Sequence, residues 1–465
     1  MRNRLIATMG VFALVVAACG GGTASVAPAS VAPASEAPTE STVPVESTTP
    51  SAAAGGFLAR ALAGEFKGTT VTATGPFVDE DAVKFNATMK DFTDKTGITI
   101  AYEGTKEFEA TISARVDAND APDIVDFPQP GLLGNFAKTG KVIDLTDKLD
   151  QPTLLANYGQ SWLDMATMPG ASGDIQAGVW ERVNGKSFVW YPKKAFDAAG
   201  YKVPTTWDEL TALQNLIVED GDTPWCVGIE SGAATGWVVT DWLEEMMLRT
   251  TSTENYDKWV THELPFSSPE VKAAAEKVGA LFLDPKLVNG GAAGIVTTNF
   301  GDAPKAMFTD PPKCWLHRQG NFITSFFPAE AKPGVDYDVF YLPGLDPAYG
   351  SPVLVAGDIW AAFSDRPEVM AVMEQFTKGE HLKSWMQAGG AIAPQKDADL
   401  AWYGDDISRF VGKTIVDASS VRFDASDLMP GAVGSGAEWK EFTSWISGKE
   451  DLDTALKNID AAWPK

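Results

Sequence analysis

Cysteine, histidine and basic residues are all scarce in this chain, and each scarcity narrows what it can be. Three cysteines and three histidines stand in 465 residues. A structural zinc site needs four close ligands, and His262, His317 and His381 form no such cluster. Lysine and arginine number 37 against 62 acidic residues, a formal net charge of −25. That balance argues against nucleic acid or an anionic membrane surface as a partner. Long apolar runs are equally rare. Leu5–Ala18 is the one clear case, and it is shorter than the ~20 residues of a bilayer-spanning helix. The small-residue loop Ser231–Gly236 lacks both the Gly-Lys-Ser/Thr of a phosphate loop and the spaced glycines of a dinucleotide fingerprint. No nucleophile elbow or zinc-protease signature occurs. Neither a metal nor a cofactor is expected.

What is present begins at the N-terminus. Arg2 and Arg4 precede the apolar stretch, and Val16-Ala17-Ala18-Cys19 ends it, followed by three glycines. A basic start, a short apolar segment and small residues make a cleavable export signal. Small residues just before a cysteine match a lipobox, so residues 1–18 are read as signal peptide and Cys19 as the lipidated residue. Ser25-Val26-Ala27-Pro28-Ala29 recurs as Ser30–Ala34. The stretch 19–64 is rich in Ser, Thr, Pro and Ala and is expected to be a disordered tether. At ~3 Å per residue it would reach on the order of 100 Å when extended. With Cys19 consumed, Cys226 and Cys314 remain. An even pair in an oxidising compartment reads as one disulfide closing a loop of ~90 residues; two buried thiols are the other reading.

About 400 residues follow the tether, enough for two domains. Thr69–Thr74 is β-branched and stops at Gly75-Pro76; Phe85, Met89 and Phe92 then recur at helical spacing before Gly97. Ile98–Tyr102, a helix marked by Phe108, Ile112 and Val116, and Asp123–Phe127 continue the alternation. This β-α-β order predicts a parallel sheet covered by helices. Such sheets bind ligands beyond the carboxyl ends of their strands. The loops Gly75–Val78, Glu103–Lys106 and Phe127–Gly131 are therefore candidate site loops, with Phe77, Asp126, Phe127 and Gln129 as candidate residues. A second α/β region starts near Gly185, with Ser187–Tyr191 and Trp225–Ile229 as strands. Between them Thr206-Trp207-Asp208-Glu209 reads as a capping box.

Gly185-Lys186, Trp190–Phe196 and Ala199–Leu210 together resemble the family 1 extracellular solute-binding proteins. Ala121–Val125, Lys305-Ala306-Met307 and Ala388–Pro394 match further family positions in the expected order. Trp225–Trp237 and Pro312–His317 look like the α-glucoside-binding group of that family. One departure stands out: Tyr191-Pro192-Lys193 replaces the usual Tyr-Asn-Lys, so contacts from that segment are not carried over. The resemblance implies an α/β, two-lobed periplasmic-binding-protein-like fold with discontinuous lobes, a hinge, and the ligand in the cleft between them. Lobe one is expected at 65–182 plus 353–398, and lobe two at 183–352 plus 399–465. It implies a monomer, anchored outside the cell membrane through Cys19, that delivers a solute to the permease subunits of an ABC importer.

Fifteen tryptophans give the chemical clue to that solute. A pyranose lays its apolar face on an aromatic ring while its hydroxyls need donors and acceptors. Aromatics paired with carboxylates occur at Trp180-Glu181, Trp237 with Asp241 one turn on, Asp310 near Trp315, and Asp358-Ile359-Trp360. The expected carbohydrate contacts are thus Glu181, Trp237, Asp241, Asp310, Trp315, Asp358 and Trp360, added to the four loop residues. Trp207, Trp259, Trp385, Trp402, Trp439, Trp445 and Trp463 are read as packing residues. The competing readings are a non-sugar solute, a surface glycoside hydrolase with two carboxylates across a cleft, and an adhesive lipoprotein. The expectation is binding without catalysis.

Overall fold

The computed structural model describes residues 56–464; the signal peptide, Cys19 and most of the expected tether lie outside them. Among the described residues no helix is long and apolar enough to cross a membrane. The first element is a helix, α1 (Phe57–Leu62), inside the stretch read as tether. The Leu58 N–H donates to Glu374 Oε2 at 2.9 Å, Ala61 is fully buried, and Phe57 and Leu58 pack on the neighbouring core. The tether assignment is therefore corrected: residues 57–62 belong to the folded body. A short helical run of Phe, Leu and Ala holds its shape here because a tertiary partner covers its apolar side.

The alternation that follows sets the first sheet. β1 (Thr70–Gly75), α2 (Asp79–Thr96), β2 (Thr99–Gly104), α3 (Phe108–Asp117) and β3 (Ile124–Phe127) succeed one another. α2 opens on Asp79, Glu80 and Asp81, where carboxylates suit the helix dipole. It buries Phe85, Met89 and Phe92, and ends at Gly97 with φ 72°, the left-handed cap that glycine favours. β1 pairs in parallel with both β2 and β3, so all three strands end at the same edge. α4 (Pro130–Lys138) starts just beyond β3.

The chain then forms a hairpin, β4 (Thr167–Gly170) and β5 (Gly173–Gln176), and reaches β6 (Val179–Gly185) and β7 (Phe188–Tyr191). β8 (His317–Arg318) and β9 (Asp338–Tyr341) flank β7 in a second, antiparallel sheet. β10 (Pro352–Ala362) returns to the first sheet, and β11 (Ser420–Phe423) completes it. The order there is β11-β10-β3-β1-β2, with β6 also on β10. β10 is antiparallel to β3 and β6 but parallel to β11, so the sheet is mixed. Every residue of β6 and β10 is buried, as expected of strands covered on both faces.

Two hydrophobic cores follow from this path. One surrounds the first sheet and includes Val71, Phe85, Ile112, Phe127 and Trp360. The other gathers Trp225, Trp242, Trp259, Phe282 and Phe442. The chain passes between them after β6, before β10 and after β11. β11 pairs with the first sheet, although its residues fall in the range assigned to the second lobe. In the second lobe the capping box is complete: Thr206 and Glu209 satisfy each other's backbone N–H groups at the start of the Trp207–Glu219 helix. Trp225–Ile229 forms no extended ladder. Trp225 makes single bridges to Val288 and Leu316, because its neighbours are short irregular segments.

Cys226 and Cys314 are disulfide-bonded, with Cα atoms 5.4 Å apart and 88 positions between them in sequence. Closing so long a loop removes unfolded-state freedom, typically about 2–5 kcal/mol for a native bond. Replacing both cysteines by alanine is expected to lower unfolding stability by that amount, read from denaturant titration. Identical midpoints for variant and oxidised parent would refute it.

Candidate functional site

The loops after β1, β2 and β3 converge on a cleft of about 530 Å³, and residues of the second lobe line its other side. On the first-lobe wall, Phe77 is buried with its ring 5.5 Å from Trp385 and 4.5 Å from the Arg182 guanidinium. Arg182 lies on β6, opposite Asp358 on β10. Its Nε donates to Asp358 Oδ2 at 2.6 Å and its Nη2 to Asp81 Oδ2 at 3.3 Å. Burial works against the Arg182 charge, but Asp358 and Asp81 outweigh it, and its pKa is raised. Phe77, Asp81, Arg182 and Asp358 all line the cleft.

The facing wall is built on the start of the Trp237–Thr250 helix. Trp237 is half-buried, met edge-on by Phe300 at 5.2 Å and by a tilted Phe322 ring at 6.0 Å. Lys186 Nζ sits 5.3 Å from its ring centre, within cation–π range. That ammonium donates to Asp241 Oδ1 at 2.7 Å and Asp424 Oδ2 at 2.5 Å. Burial disfavours the Asp424 charge, yet Lys186 overrides it and holds the carboxyl at about 2. Arg318, Glu245 and Arg249 extend the chain of buried charges behind the wall. At the rim, Glu230 accepts from Asn299 Nδ2 at 2.8 Å and from the Gly232 N–H at 2.8 Å; these bonds draw its pKa down.

Four of the eleven residues singled out from the sequence meet along this cleft: Phe77, Gln129, Trp237 and Asp358. The structure does not bring the other seven to its surface. Phe127 and Trp360 lie in the first core, Trp360 stacked on Phe85 at 5.1 Å. Trp315 lies in the second core against Tyr201, 5.0 Å away. Asp310 is exposed, before a cis bond to Pro311, and off the cleft lining. Glu181 is buried, accepting from Trp360 Nε1 at 2.6 Å and paired with His381 Nε2 at 2.5 Å. Asp241 shares the helix of Trp237, but Lys186 and Arg318 take up its carboxylate. Asp126 is fully buried with neither oxygen hydrogen-bonded. Cys19 lies outside the described residues. Sequence reading did not single out Arg182, Lys186 or Asp427 as site residues and took Trp439 for a packing residue; all four line the cleft. Gly185-Lys186 was visible as a motif, but the pairing of Lys186 with residue 424 had no local signal.

Two lobes, each with its own core, enclosing a cleft lined from both sides define a binding protein that captures its ligand between lobes. The chain belongs to the bacterial extracellular solute-binding protein family, which it matches over residues 78–376. It is 42% identical over 395 residues to the osmoprotective compounds-binding protein GgtB of Synechocystis sp., covering 85% of this chain and 92% of that protein. It is 39% identical over 404 residues to the alpha-glucosides-binding periplasmic protein AglE of Rhizobium meliloti, covering 86% and 88%. Among solved structures, the bacterial solute receptor AcbH superposes with a TM-score of 0.71 at 18% identity, covering 84% of this chain and 98% of that one. Maltose-bound MalE3 of T. maritima gives 0.65 at 16% identity, covering 84% and 98%. These likenesses establish the two-lobed α/β fold.

Burial pushes the Asp126 carboxyl well up, and the nearby charges of Asp358 and Glu181 add to the shift. The folded state thus holds a proton that the unfolded chain releases above its ordinary pKa of ~4. Stability from this group is full below that pH and is lost as pH rises towards the folded value. Asp126→Asn is expected to raise the melting temperature near pH 7, with the gain fading as pH falls towards ~4. Melting curves that coincide with the parent's at pH 7 would contradict this.

Proposed function

We propose that this chain is the extracytoplasmic carbohydrate-binding component of an ABC importer. It takes an α-glucoside or similar oligosaccharide into the cleft by lobe closure, and a lipid on Cys19 holds it at the membrane for delivery to the permease. One observation carries the reading. Trp237 offers an aromatic face on one wall, while the cleft residues Gln129, Arg182 and Trp439 keep polar atoms without protein partners. Gln129 Oε1 is an acceptor; Arg182 Nη1 and Trp439 Nε1 are donors. Buried polar atoms are normally hydrogen-bonded, and a pyranose supplies both an apolar face and hydroxyls that donate and accept. The cleft volume lies in the usual range for small-molecule sites.

The names of the relatives support the same class of ligand, since AglE is described as binding alpha-glucosides. Closure has support in how tightly the lobes meet. A Cβ on Gly131 of α4 would lie 1.8 Å from the Met429 carbonyl oxygen, and one on Gly232 would lie 3.0 Å from Glu107 Oε1. A ligand touching both walls stabilises the form in which both reach it.

Trp237→Ala is expected to weaken binding of the best α-glucoside at least tenfold, about 1.4 kcal/mol, in protein shown to be folded by its melting transition. Calorimetric titration decides it, and unchanged affinity would remove Trp237 from the site. Incubation with a nitrophenyl α-glucoside should give binding without release of nitrophenol. Cys19→Ser is expected to move the protein from the membrane to the soluble fraction while leaving affinity intact; equal membrane retention would defeat the lipid-anchor reading.

A further inference from the structure

Glu244 is a buried acid that stands behind the cleft and does not line it. It lies about two turns along the helix that carries Trp237. Its Oε1 accepts from the Ser426 N–H at 3.0 Å, while its Oε2 has no partner. Ser426 and Asp424 do line the cleft. The Ser426 hydroxyl donates to Asp424 Oδ1 at 2.8 Å and lies 3.1 Å from Thr240 Oγ1, on the Glu244 helix. Glu244 therefore holds this stretch of lining from behind.

The charges around it are already committed. Glu244, Asp241 and Asp424 bring carboxylate oxygens within 4.8 Å of one another. Three carboxylates so close call for a cation, and the Lys186 ammonium supplies it, 2.7 Å from Asp241 and 2.5 Å from Asp424. Arg318 pairs with Asp241 and Glu245, and Arg249 with Glu245. Among the described residues no ion pair reaches Glu244. Glu438, Asp427 and Tyr256 complete the titratable groups about the cluster. The Pro269–Phe282 helix, packed on the Glu244 helix, buries Ala274, Ala275 and Val278 and leaves Glu270, Glu276 and Lys277 exposed. On the Trp439–Ile446 helix, Glu441 is taken up by Lys440 and Asn458.

We propose that Glu244 is a positioning residue whose proton holds the Asp424–Ser426 stretch of the lining in its ligand-competent shape, so that capture weakens when that proton is lost. The proposal rests on the carbohydrate reading given above and adds a proton to the binding step. Burial raises the Glu244 pKa well above the ordinary value, the charges of Asp424 and Asp241 add to the rise, and Lys186 opposes it without prevailing. A neutral carboxyl can donate as well as accept. Asp424 stays ionised against burial through Lys186 and then through a hydrogen bond from Glu244. Loss of the proton would set a second anion beside Asp424 with no cation to spare, and like charges this close repel. The strain falls on the Ser426 N–H and on Lys186, whose ammonium is 5.3 Å from the Trp237 ring centre. The direction follows from the raised pKa. The competent form prevails below it, and affinity falls as pH rises through it, by about tenfold per pH unit beyond.

Glu244→Gln is the deciding variant, because its amide accepts and donates as the neutral acid does but cannot ionise. The full chain is titrated calorimetrically with maltose, sucrose and trehalose, and melting curves check that each protein is folded at each pH. The parent is expected to lose at least tenfold in affinity between about pH 5 and about pH 9, while Glu244→Gln keeps its low-pH affinity throughout. A parent whose affinity stays flat over that range overturns the proposal. An equal fall in parent and variant also overturns it and moves the pH dependence to another acid, such as Asp427. A second readout needs no sugar: the infrared carbonyl stretch of a neutral carboxylic acid in protein carrying isotope-labelled glutamate. The difference between parent and variant isolates Glu244 from Glu109 and Glu438, whose neutral forms burial also favours. A band is expected in that difference at low pH, fading as affinity falls; identical spectra refute the proton on Glu244. If the band is present but none of the three sugars binds at any pH, the carbohydrate reading fails and the coupling falls with it.

Discussion

Arg182 is the point on which the first lobe and the cleft both depend. Its guanidinium is buried beside the rings of Phe77 and Trp385, 4.5 and 4.3 Å from their centres, with Asp358 of β10 and Asp81 of α2 as counter-charges. One side chain thereby joins β6, β10, the first long helix and the aromatic wall of the cleft. Burying an ion pair is not a cheap source of stability, because desolvation offsets most of the attraction. Breaking one is severe, since the partner is left charged and buried. Arg182 therefore fixes geometry: it sets where Asp358 and Phe77 stand when a ligand arrives.

Lys186 does the corresponding work for the second lobe. It follows β6 by a single residue, and it ties Asp424, just after β11, to Asp241 of the Trp237–Thr250 helix. Two separate passages of the chain between lobes are thus clamped to one helix. The pairs continue through Arg318, Glu245 and Arg249, and together they match three cations with three carboxylates. Glu244 and Glu438 are left without a cation, and burial drives both pKa values well up. Behind the cleft, burial disfavours the charged form of those acids that have no cation beside them.

Much of the fold was legible because it is written in local pattern. The helical spacing of Phe85, Met89 and Phe92, the Thr206 capping box and the β-α-β order each depend on neighbours a few residues away. The rule that parallel sheets bind at their carboxyl edges then found the cleft loops and, with them, Phe77 and Gln129. Side-chain roles were less legible. Nothing local distinguishes Trp237, which faces the cleft, from Trp360, which stacks on Phe85 inside the first core. Asp310 drew attention through nearby Trp315, yet it stands in solvent and Trp315 packs inward. The residues that organise the site pair across great sequence distances: Arg182 with Asp358, 176 positions away, and Lys186 with Asp424, 238 away. No spacing rule sees such pairs. α1 was missed for a related reason, since its helix depends on Glu374.

The docking of α1 has a mechanical consequence. It is pinned to the Pro367–Phe376 helix of the first lobe, where the Glu374 carboxylate receives the Leu58 N–H. Any leash that precedes residue 56 is therefore fastened to one jaw alone. A pull on it would load α1 and its seat on that helix, with no direct load on the second lobe.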